Sequence, residues 1–135
     1  MKVTTKQLDR MKKALPIIRI LAGFTTKDFA TELGISIQTL WRLERSSDKP
    51  MGLLYYHALR DVFGKCKHNS SVEIAYYMLV ISDYLDDITR NYILTRANSV
   101  ITNWNKRHGI EALKNDIWTV IGPELKKQYN QFISK

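Results

Sequence analysis

The chain is poor in the residues that build covalent or metal-held frameworks. Cys66 is its only cysteine among 135 residues, so it can form no internal disulfide and no cysteine-rich metal cage. A reducing compartment is therefore the expectation. Cys66 lies between Lys65 and Lys67, and the plain reading is an ordinary loop thiol. There are three histidines, at 57, 68 and 108, scattered along the sequence. No nucleophile stands at motif spacing from a base, and there is no phosphate-cradling glycine loop. An enzyme is accordingly not expected, and neither is a cofactor. No run of eighteen apolar residues occurs and no signal-peptide core precedes the first helix, which predicts a cytoplasmic protein without a membrane span.

What is present is apolar content, 44% of residues, and positive charge, a formal +8. The first supports a folded core. The second is unevenly placed. Residues 1–68 hold thirteen Lys and Arg against six Asp and Glu, whereas residues 69–135 hold eight against seven. A positive field confined to one half suits a polyanion partner, because neutralised phosphates release counterions.

Periodicity reads as helix throughout, so the fold class expected is all-α. Thr4 and Gln7 offer a capping box for an opening helix with Leu8, Met11 and Leu15 as its apolar stripe. Lys6, Arg10, Lys12 and Lys13 make that helix basic, either as a solvated face or along a flanking phosphate backbone. Pro16 then predicts the start of a second helix, with Ile17, Ile20 and Leu21 inward and Gly23 as its stop. Arg19 is out of place in that apolar run and calls for a buried partner.

Phe24 to Arg45 is the stretch that organises the rest. Thr25 caps a short helix with Asp28 in its first turn. Phe29, Ala30 and Leu33 share one face of it, and Gly34 marks its end at a position that favours positive φ. Ser36 caps the next helix, where Leu40 and Leu43 face inward and Ile37, Gln38, Trp41 and Arg42 remain outside. The side chains on that outer face suit DNA: Gln38 for adenine, Arg42 for guanine or phosphate, Ile37 for a thymine methyl. Trp41 either packs on sugar or methyl groups or covers the domain's edge. Arg45, Ser46, Ser47, Asp48, Lys49 and Pro50 follow as a loop, in which Arg45, Ser47 and Lys49 suit phosphate contacts.

These residues resemble the helix-turn-helix of the phage repressor and Cro family, the Xre type, over about Leu15 to Phe63. Phe29, Ala30, Leu33, Gly34, Ile35, Leu40 and Leu43 fall at its structural positions, and Ser36, Gln38, Thr39 and Leu40 are similar to its Ser-x-Gln-Thr-Ile signature. The resemblance implies a λ-repressor-like domain that binds double-stranded DNA, with Thr26, Lys27, Ser36, Ile37, Gln38, Thr39, Trp41 and Arg42 at the interface. It also implies that Arg19 pairs with Glu44. The sequence departs from the pattern at Thr26, where the family often has Gln, and at Ser46, where a Gly usually closes the recognition helix.

Helices are also expected over Met51–Phe63, with Leu54, Ala58, Leu59, Val62 and Phe63 covering the core, and over Val72–Leu85, where the crowding of Ala75 to Ile81 also fits a buried strand but the capping box of Ser70 and Glu73 and the length favour helix. Asp83, Asp86 and Asp87 read as a solvated acidic corner. A helix over Ile88–His108 would bury Ile88, Tyr92, Ile93, Ala97, Val100, Ile101 and Trp104 and stop at Gly109. Another spans Ile110–Ile121, broken by Gly122-Pro123 before a last helix with Leu125, Tyr129, Phe132 and Ile133. The division expected is 1–66 for the DNA-binding domain and 67–135 for a helical oligomerisation or regulatory region. The leading function is a dimeric transcriptional regulator, a repressor, reading paired half-sites. The alternatives are an antitoxin-like protein whose C-terminal helices bind a regulatory protein partner, and a protein-binding scaffold that has lost DNA binding.

Overall fold

The structure, a computed structural model, describes residues 3–45, 52–64, 70–104 and 109–134. Every regular element among them is helical: α1 (Thr5–Leu21), α2 (Thr26–Leu33), α3 (Ile37–Arg45), α4 (Leu53–Gly64), α5 (Ser70–Tyr76), α6 (Asp87–Thr102) and α7 (Gly109–Ile133). Between α5 and α6, α5 runs into a π-helical turn at Tyr77–Ile81. No described helix is long and apolar enough to cross a membrane.

Helix α1 begins as the sequence predicts, with the Thr4–Gln7 capping box closed in both directions. It does not end at Pro16. The helix runs through that residue to Leu21, because Ala14, Leu15, Ile17 and Ile18 on either side are fully buried and their packing outweighs the hydrogen bond a proline removes. The same holds at the other end of the chain. Gly122 and Pro123 do not break α7; Leu113, Ile117, Ile121 and Leu125, spaced by four, form one continuous buried stripe across them. Gly122 lets the Trp118 indole lie across the helix, since a Cβ there would meet two ring carbons at 2.8 Å.

Helix α1 is the central post. It packs against α3, α4, α5, the π turn, α6 and α7, and its residues belong to one core with Phe29, Leu40, Leu59, Met78, Leu79, Ile93 and Ile117. The boundary expected at residues 66 and 67 lies outside the described residues, and α1 packs against helices on both sides of it.

The segment after α5 corrects the expected helix over Val72–Leu85. Helix ends at Ile81, where Ser82 N–H reaches the Tyr77 carbonyl at 2.7 Å and the backbone turns extended. The carbonyls left by that wide turn are met by Arg90, which is itself buried. Its Nε donates to the Leu79 carbonyl (3.1 Å) and its Nη2 to the Ser82 carbonyl (2.8 Å), while Nη1 pairs with Asp87 at 3.2 Å. The three aspartates are exposed but each has a structural task. Asp86 caps α6 through the Thr89 N–H, Asp87 neutralises Arg90, and Asp83 binds Arg10 of α1 at 2.7 Å. The Arg10 guanidinium holds the Asp83 carboxyl below its ordinary range. Arg10 is therefore not a free cation of a solvated or DNA-flanking face, and Lys13 of the same helix pairs with Asp9.

Burial corrects several assignments. Leu54 is 82% exposed, because α4 turns Tyr56, Leu59, Val62 and Phe63 inward instead. Ile88 (83% exposed) and Tyr92 (55%) also lie outside, since α6 is turned to bury Arg90, Ile93, Leu94 and Ala97. Ile133 is exposed at the end of α7. Helix α6 ends at Thr102, and Gly109, with φ 75°, opens α7 rather than closing α6.

Candidate functional site

The α2–turn–α3 unit is built from short-range chemistry. Thr25 Oγ1 accepts the Asp28 N–H, fixing the start of α2. At its other end Gly34 adopts φ 71°, ψ 30°, the left-handed geometry that returns its own N–H to Ala30 and Thr31 and lets the Ile35 N–H reach the Ala30 carbonyl. Ser36 Oγ then accepts the Thr39 N–H at 3.1 Å and starts α3. Phe29, Ala30 and Leu40 are buried, and Leu33, Ile35 and Leu43 pack against the same core. The turn is thus fixed by three adjacent residues, and the two helices meet through their small and apolar faces.

The direction of α3 is fixed at its far end by an ion pair. Arg19 Nε donates to Glu44 Oε1 at 3.2 Å, and Arg19 Nη1 donates to the Phe24 carbonyl at 2.9 Å. Arg19 therefore ties together α1, the turn ahead of α2 and the last turn of α3. Both side chains are largely buried. Burial pushes the Glu44 carboxyl above its ordinary value, and the charge and hydrogen bond of Arg19 pull it only part of the way back.

With Leu40 and Glu44 turned inward, the opposite side of α3 is left to solvent. Ile37 is 37% exposed and Trp41 47%, and Gln38, Arg42 and Arg45 are exposed as well. The Gln38 and Arg42 side chains make no hydrogen bond or ion pair with any described residue. Arg45 lies over the Trp41 ring, its guanidinium carbon 4.7 Å from the ring centroid. Gln38, Trp41, Arg42 and Arg45 together line an open depression of about 470 Å³. The only carboxylate on α3 is Glu44, and it is spent on Arg19.

The other sequence-predicted positions divide. Thr26 is half-buried in the first turn of α2 and Lys27 beside it is exposed. Ser36 and Thr39 hydroxyls lie 2.9 Å apart and serve the cap, so their first role is local. Ser47 and Lys49 lie outside the described residues. Among the described residues, no group of His, Cys, Asp or Glu is placed to hold a metal ion.

Two features escaped the sequence reading. The Trp41–Arg45 stack is one, although an aromatic four residues before an arginine on one helix face is a readable signal. The other is a larger open depression of about 750 Å³ between α6 and α7, lined by Arg96, Val100, Trp104, Asp116 and Val120 among others. It depends on how α6 and α7 pack on each other, which helical periodicity alone does not give.

Comparisons with protein-family models, with curated proteins and with solved structures find no match for this chain.

Proposed function

We propose that this chain is a sequence-specific double-stranded DNA-binding regulator of the Xre helix-turn-helix type, with α3 as the helix that enters the major groove. One observation carries the proposal: the outer side of α3 presents Gln38, Arg42 and Arg45 to solvent, with no carboxylate among the described residues bonded to them, on a helix whose orientation is fixed at both ends. A carboxamide and guanidiniums on an exposed helix face are the groups that read adenine and guanine edges. The basic excess of residues 1–68 supplies the sequence-independent attraction. One α3 spans few base pairs, so the active form proposed is a homodimer on paired half-sites, joined through the C-terminal helices; repression by occupying a promoter is the expected mode.

Selection of duplexes from a random pool by the purified full-length protein tests this. Enriched paired half-sites, and affinity that falls steeply as salt rises, support the reading. A chain that retains no duplex even at low salt refutes it.

A second reading has its own support. Ile88 and Tyr92 are exposed apolar positions on α6, and Tyr92 lines a second, smaller depression of about 210 Å³ against α7, which suits an antitoxin-like protein that holds a partner there while α3 binds DNA. Co-purification of one stoichiometric protein, lost in Tyr92→Ala, would favour it.

A further inference from the structure

Packing does not explain Trp41. The largest side chain on α3 stands about half in water, while Leu40 next to it is fully buried. Its surroundings are specific. Ile37, Trp41 and Arg45 follow one another at four-residue spacing and so form a single row along the outer side of α3. Gln38 and Arg42 form the row beside it. The first row is apolar for two turns and ends in a guanidinium stacked on the indole at 4.7 Å.

Stacking does two things to Arg45. It removes rotamers that a free arginine would have to lose on binding, and it occupies a face of the guanidinium while leaving the N–H groups along its edge unspent. Such an edge matches the two acceptors, N7 and O6, that guanine presents in the major groove. The remaining indole surface needs an apolar contact. The major groove offers one, the methyl group on C5 of a pyrimidine, carried by thymine and equally by 5-methylcytosine.

We infer that Trp41 and Arg45 form a preassembled reader of a C5-methylated pyrimidine adjacent to a guanine. This rests on the DNA-binding reading above and adds what the site selects. A protein ligand for the same row is disfavoured by its border: Gln38 and Arg42 flank it, and the one acidic residue of α3, Glu44, is paired with Arg19, so an occupant of the described face must bring hydrogen-bond acceptors and negative charge along with its apolar group.

The test uses the full-length protein and a half-site obtained by selection. Each thymine is replaced in turn by deoxyuridine, which deletes only the methyl group, and each cytosine by 5-methylcytosine. Fluorescence anisotropy then gives affinities for the wild type, Trp41→Ala, Trp41→Phe and Arg45→Ala, with thermal melts confirming that each variant folds. One deoxyuridine position should weaken wild-type binding about fourfold, the value of one buried methyl group. Trp41→Ala should be indifferent to that substitution and Trp41→Phe should keep part of the response. Arg45→Ala should lose the preference for the neighbouring guanine. If the source is 5-methylcytosine, deoxyuridine has no effect and methylation strengthens binding by a similar factor. Tight selected binding that ignores both modifications, or a Trp41→Ala protein that responds like wild type, overturns the inference and leaves the DNA-binding reading standing. Failure to select any duplex removes both.

Discussion

Arg19 and Arg90 are both arginines held in largely apolar surroundings, one by a carboxylate and a carbonyl and the other by two carbonyls and a carboxylate. Arg19 advertises its need for a counterion, and the sequence holds Glu44 at a matching place, so the pair was readable. Arg90 sits as conspicuously among Ile93, Leu94 and Ala97, yet its main partners are the Leu79 and Ser82 carbonyls, and no sequence pattern reveals carbonyls freed by a π turn. Breaking the Arg19–Glu44 pair by Arg19→Met should cost about 3–5 kcal/mol in urea unfolding, because it strands a buried carboxylate, whereas Arg19→Met combined with Glu44→Leu should cost much less. The pH dependence follows from the direction of the shift. Glu44 has its folded value raised above the ordinary 4.5, so the stability it contributes is complete at low pH and is lost as pH rises through the folded value. Arg19→Met should raise that value further and steepen the loss, and Glu44→Leu should abolish it; unfolding curves at several pH values check both. At Arg90, Lys should not substitute. A single ammonium cannot span two carbonyls and an aspartate, and Arg90→Lys should lose about 1–3 kcal/mol and speed amide exchange around Tyr77–Ser82.

At the level of elements, helix phase and caps were the legible part, and helix continuity was not. Thr4, Thr25 and Ser36 cap as their side chains dictate, and Gly34 takes the positive φ that its place between two helical patterns required. Pro16 and Pro123 misled because local propensity is decided against several kcal/mol of burial on either side, which a single sequence does not weigh. Leu54, Ile88 and Tyr92 misled for a related reason: several apolar stripes fit each helix, and which one turns inward depends on neighbours. The two glycines Gly34 and Gly122 separate two kinds of constraint. At Gly34 no atom lies within 4 Å of where a Cβ would stand, so Gly34→Ala should cost about 1–2 kcal/mol through backbone geometry alone, and Gly34→Asn less. At Gly122 the obstacle is the Trp118 ring. Gly122→Ala should therefore lower the melting temperature despite alanine's higher helix propensity, and Trp118→Leu should restore it.

Across the whole molecule, the organising fact is that α1 serves both the α2–α3 unit and the C-terminal helices. The charge asymmetry suggested two halves, but the core is one connected cluster. A fragment of residues 1–64 should accordingly lack a cooperative thermal transition, since it would expose the face of α1 that packs on the π turn and α7; circular dichroism of the fragment decides it. The same arrangement holds α3 at a fixed attitude to the rest of the chain, with its outer side clear of every other described element. The functional proposal depends on that outer side reading bases. The most direct test is the ratio of affinities for a selected half-site and for random duplex, measured in the wild type and in Gln38→Ala. The account predicts that Gln38→Ala lowers the ratio by about 1–3 kcal/mol at one base position while binding to random duplex is unchanged, with Lys49→Ala weakening both alike. An equal loss on selected and random DNA in Gln38→Ala would contradict it.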